Sequence, residues 1–151
     1  MPPDGPLRLR AEDADDLAVI SACLQDALVS VRDLAYDREA RTFVLVANRF
    51  RWEATEADES GASRLERTLC GVAFSEVDSV AYRGFQRSEE SRILCLLAIR
   101  PNLEGSGGTI DLDFSGSATI RLSASASSPN RPLPIQSRAS CALPPPIPAS
   151  I

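Results

Sequence analysis

Histidine and lysine are both missing from the 151 residues; all 16 basic residues are arginine. Without histidine the chain lacks the commonest general base and the commonest metal ligand. Without lysine it can run neither Schiff-base nor P-loop chemistry. Arginine-only usage also points to a GC-rich coding sequence. Aromatic residues make up only 5% of the chain, so the core is lean. No apolar run approaches the ~20 residues of a membrane span. A basic surplus is lacking as well. The net charge of −5 disfavours nucleic acid or an anionic membrane as a bulk partner. Met1-Pro2-Pro3-Asp4-Gly5-Pro6 has neither the basic nor the apolar region of a signal peptide, and a cytoplasmic protein is expected.

The four cysteines (Cys23, Cys70, Cys95 and Cys141) include no C-x-x-C pair, and the first three lie in apolar patterns. Buried, reduced thiols are the expectation, because free cysteine behaves as a small hydrophobe. A zinc site without histidine would need all four, so no metal and no cofactor is expected.

What is present reads as α+β: one N-terminal amphipathic helix and about six mostly antiparallel strands. Leu7-Arg8-Leu9-Arg10 suits a short edge strand. Asp13 is placed to cap a helix over about 14–28, with Asp15 and Asp16 in its first turn. Leu17, Ile20, Leu24, Ala27 and Leu28 follow at helical spacing. Residues 29–36 alternate as a strand, and Asp37-Arg38-Glu39 makes a polar turn. The central stretch is 42–53, Thr-Phe-Val-Leu-Val-Ala-Asn-Arg-Phe-Arg-Trp-Glu. Its first half is apolar on both faces, like a strand inside a sheet. Its second half alternates, Phe50 and Trp52 against Arg49, Arg51 and Glu53, as at a half-solvated rim. Residues 54–66 are acidic and aperiodic and read as a loop. Residues 70–74 and 80–82 alternate as two strands or one bent strand. Ile93–Ile99 is the most apolar run, suited to a strand covered on both faces and stopped at Arg100-Pro101. Residues 110–114 and 118–122 form a hairpin, with Asp111 or Asp113 opposite Arg121 as a cross-strand ion pair. Gly105–Gly108 lacks the spacing of a phosphate loop.

These elements make residues 1–122 one domain. Residues 123–151 carry seven of the 11 prolines and no acidic residue, and such a Pro/Ser/Ala-rich segment is expected to be a disordered tail.

Asp16-Leu17-Ala18-Val19-Ile20-Ser21-Ala22 with Gln25-Asp26-Ala27, and Asn48-Arg49-Phe50-Arg51-Trp52-Glu53, carry a resemblance. Together with Asp33–Tyr36, Leu96–Ile99, Gly107-Gly108-Thr109 and the Ser115-to-Leu122 hairpin, they resemble an uncharacterised family of small alphaproteobacterial proteins. The family is known only as a domain of unknown function, and the likeness spans about residues 7–122. It implies no activity. It does imply an ending with an acidic strand containing Glu-Cys-Ile-Glu and then a short helix, which this chain lacks. Ala124-Ser125-Ala126-Ser127-Ser128 can be written GCG AGT GCA TCG AGT, and from its third base the same letters spell Glu-Cys-Ile-Glu. The tail therefore reads as an out-of-frame ending, and resequencing the gene around codons 122–124 without finding a shift would sink that reading.

The chemistry is thin. Glu76 and Asp78 are two acids on one strand face and could divide acid and base roles; a solvated edge is the plainer account. Cys70 and Cys95 lack a histidine to activate them. No catalytic residue is assigned. The rim of the central strand is the candidate site, with Arg49 and Arg51 as forked donors for carboxylate or phosphate and Asn48 and Trp52 on its other face. The plainer account has Trp52 in the core and the arginines paired to acids. The expectation is a non-catalytic, cytoplasmic module that binds a protein partner or itself, with no nucleic-acid or membrane partner. Binding of a small anion or nucleotide through Arg49 and Arg51 is the alternative, and an enzyme using carboxylates or cysteine a distant one.

Overall fold

A computed structural model describes residues 7–50, 67–104, 107–125 and 134–141. In chain order the elements are β1 (Leu7–Ala11), α1 (Ala14–Cys23), β2 (Leu28–Ser30), a 3-10 turn (Val31–Asp33), β3 (Ala35–Asp37) and β4 (Thr42–Phe50). Next come β5 (Arg67–Ser75), β6 (Ser79–Arg83), β7 (Ile93–Glu104), β8 (Gly107–Phe114), β9 (Ala118–Ala124) and β10 (Gln136–Cys141). Among the described residues one helix thus accompanies a ten-stranded sheet, more β-structure than the six strands expected. The strand order is β1-β10-β5-β4-β2-β7-β8-β9-β6, with β3 also on β4, and every pairing among the described residues is antiparallel.

The sheet is curled. Six inter-strand steps separate β5 from β6, about 29 Å in a flat sheet. Only three residues join them, enough for roughly 14 Å of chain. The ends of the sheet meet accordingly: Val77 N–H donates to Arg41 O at 2.8 Å, and Asp78 N–H donates to Ser123 O at 2.8 Å. The Tyr36 hydroxyl closes the same seam by donating to Val77 O at 2.7 Å. The inner face of the curl is the core. Phe43 and Leu45 of β4, Val72 and Phe74 of β5, Leu94 and Leu96 of β7, Leu112 of β8 and Ile120 of β9 all bury there.

Helix α1 covers that interior with Leu17 and Ile20. Asp13 caps it as the sequence indicates, its carboxylate accepting from Asp16 N–H at 2.8 Å. The helix stops at Cys23 and does not reach residue 28. Asp26 takes a left-handed φ of 66°, a conformation aspartate tolerates better than most residues. The chain then leaves the helix to pair with β7, where Asp26 N–H donates to Leu96 O and Leu96 N–H donates to Ala27 O, both at 2.8 Å.

Two strands run where the composition argues against them. Strand β7 passes through Pro101 to Glu104, since β2 flanks it only over Ile93–Cys95 and the absent N–H breaks no ladder there. Strand β10 is built from the stretch expected to be disordered, and it lies inside the sheet between β1 and β5. Its inward residues are Ser137, Ala139 and Cys141. Ser137 Oγ is buried without a hydrogen-bond partner. Cys141 stands opposite Cys70, and the two form a disulfide, correcting the expectation of four reduced thiols. Cys23 and Cys95 remain thiols.

Candidate functional site

Strand β4 was expected to carry the site, and its geometry reassigns the residues. Phe43, Leu45, Ala47 and Arg49 point inward, whereas Val44 and Val46 are exposed. Arg49 therefore does not lie on a solvated rim. It is 1% exposed, and its Nε donates to Cys23 O at 3.0 Å at the C-terminal end of α1. A cation there meets the negative end of the helix dipole. Its Nη1 also lies 4.0 Å from Cys141 Sγ. Asn48 is half-buried and on the opposite face, so the two do not converge. Arg51 and Trp52 lie outside the described residues.

The acidic pair is likewise dispersed. Glu76 and Asp78 are in the link between β5 and β6, and Glu76 has a left-handed φ of 66°. Asp78 accepts from Ser125 N–H and Oγ–H, both at 2.7 Å, and from Arg41 Nε at 2.9 Å. Those donors, Ser125 first, hold its carboxyl below the usual range, which opposes a proton-donating role. No group of three or more potential metal ligands occurs among the described residues.

The hairpin ion pair forms. Asp111 of β8 stands opposite Arg121 of β9, whose Nε and Nη2 donate to its carboxylate at 2.8 and 3.0 Å. Asp113 pairs with Arg100 of β7. Both pairs lie on the outer face of the curl, since Ile110, Leu112 and Phe114 point inward.

The unusual surface is the outer face of β5, β4, β2 and β7. Val44, Val46, Leu69, Ile93 and Leu97 are 38–61% exposed there. The register runs one row from Leu69 through Asn48 and Leu28 to Cys95; Val46 flanks this row on β4, and Ile93 and Leu97 flank it on β7. The β4 and β7 members, Val44, Val46, Ile93 and Leu97, were expected inside a sheet covered on both faces. Only one face is covered by described residues. Runs of apolar residues in β4 and β7 look the same whether the second face meets a helix of this chain or a surface for something else.

Among the described residues, one helix caps a curled antiparallel sheet that exposes aliphatic residues on its convex side. The chain belongs to the family described as protein of unknown function, DUF2948, whose profile matches residues 7–127. No curated protein and no solved structure matches it. No helix among the described residues is long and apolar enough to cross a membrane.

Proposed function

We propose that the chain is a non-catalytic, cytoplasmic interaction module that uses the outer face of β5-β4-β2-β7 to bind a protein, either a partner or a second copy of itself. The observation that carries this reading is the band of exposed aliphatic residues Val44, Val46, Leu69, Ile93 and Leu97. Large contiguous apolar patches are uncommon on monomers and mark contact surfaces. A net charge of −5 supports a protein partner over nucleic acid. The anion site on Arg49 and Arg51 gains no support, because the Arg49 guanidinium is committed to α1.

The test pairs sedimentation with mutation. Val46→Glu with Leu69→Glu changes only outward side chains, so the melting temperature should hold. Self-association, or binding of a partner recovered by cross-linking in cells, should disappear. If the chain is monomeric at high concentration and no captured partner depends on Val46 or Leu69, the reading fails.

A further inference from the structure

Beside the aliphatic band, three arginines on the outer face gather without a carboxylate partner among the described residues. Arg8 and Arg10 project from β1 and Arg138 from β10, all exposed. Arg10 stands directly opposite Arg138, and Arg8 is one pleat away, opposite Ser140. All three line a trough of about 470 Å³, together with Gly71, Ala73 and Ser140. Like charges directly opposite on neighbouring strands repel. The chain has 21 acidic residues against 16 basic ones, yet none of the described acids pairs with these three. Arg41, Arg92, Arg100 and Arg121, in contrast, each have a carboxylate partner.

Gly71 is a second, independent sign. It lies in the interior of β5, where glycine weakens a strand. Its φ is not in the left-handed region, and a Cβ there would meet only Ser140 O, at 4.0 Å. Neither backbone conformation nor packing calls for glycine. What a side chain would occupy is the trough itself. Glycine at such a strand position suits the close approach of a ligand.

We infer that the trough of Arg8, Arg10 and Arg138 binds a multiply charged oxyanion, the phosphate groups of a phosphorylated compound. The three arginines sprout from backbone positions about 7 Å apart along β1 and about 5 Å apart across to β10, and together they offer more donors than one carboxylate can accept. Linked phosphates supply enough oxygens and would relieve the Arg10–Arg138 repulsion. This site is separate from the aliphatic band and stands or falls without it.

Calorimetric titration of the full chain with sodium pyrophosphate tests the inference, with a parallel thermal melt. The expected result is saturable one-to-one binding and a raised melting temperature. Arg10→Ala and Arg138→Ala should each weaken binding about tenfold. Arg38→Ala, which removes an equal charge from the turn before β4, should leave it unchanged. Gly71→Val should abolish binding while the melting temperature of the free protein holds or rises. Co-sedimentation with phosphatidylcholine vesicles containing phosphatidic acid, lost on Arg138→Ala, would support the same site and assign the phosphate to a lipid headgroup. No response to either probe overturns the inference. Equal weakening by Arg38→Ala overturns it too, because binding would then be diffuse.

Discussion

Asp111 shows how one outward carboxylate can carry stability. The residue is 7% exposed, and its Arg121 partner holds the carboxyl below its ordinary range; Arg100 and Arg83 add smaller pulls in the same direction. A depressed folded-state pKa contributes stability that is complete above the unfolded value near 3.8 and is lost as pH falls through the folded value. Arg121 is 55% exposed, so solvent screening limits the pair to about 1 kcal/mol. Asp111→Asn should therefore lower stability by about that amount at pH 7, by urea unfolding. The gap between variant and wild type should stay constant down to about pH 5 and shrink below about pH 4. A gap that persists at pH 2 would place the effect in packing. The pairing was legible to within one alternative: alternation in 110–114 and 118–122 puts Asp111, Asp113 and Arg121 on one face of a hairpin whose turn is marked by Ser115-Gly116-Ser117, and the register selects Asp111.

Among the elements, α1 and the hairpin could be located because each has a sharp period, and Asp13 marked where α1 starts; its end was missed, because Leu24, Ala27 and Leu28 continue the apolar spacing past Cys23. Strand β4 could be located but not oriented. With apolar residues at every position from Phe43 to Ala47, parity is invisible, and Arg49 was put on the wrong face. The consequence is a different role for that residue. A buried guanidinium holding the last carbonyl of α1 ties helix to sheet. Arg49→Ala should cost about 2–4 kcal/mol, since it leaves a void and strips the Cys23 carbonyl of a donor. Arg49→Lys should restore only part, because an ammonium cannot reproduce the fork. Denaturant melts followed by circular dichroism check both. Wild-type stability in Arg49→Ala would return Arg49 to the surface role first expected of it. Strand β10 was not legible at all. Its inward residues, Ser137, Ala139 and Cys141, are small, and its outward ones are Gln136, Arg138 and Ser140, so its alternation has almost no hydrophobic amplitude.

At the scale of the whole molecule, the position of β10 decides what the C-terminal region is. A strand at the edge of a sheet can be removed with modest loss; this one separates β1 from β5. Without it β1 loses its only strand partner among the described residues. The Cys70–Cys141 disulfide adds a covalent tie across 71 residues of sequence. Limited proteolysis of the unreduced full-length chain should therefore leave a core whose mass includes Gln136–Cys141. A cut between residues 126 and 133 should yield two fragments that separate only on reduction, and a thiol assay before reduction should find Cys23 and Cys95 alone. The opposite outcome is equally definite. If cleavage trims the chain back to about Leu122 and the remainder keeps its thermal transition, β10 contributes nothing to the fold. Arg138 then leaves the anion trough, and the out-of-frame origin of residues 123–151 becomes the better account of their composition.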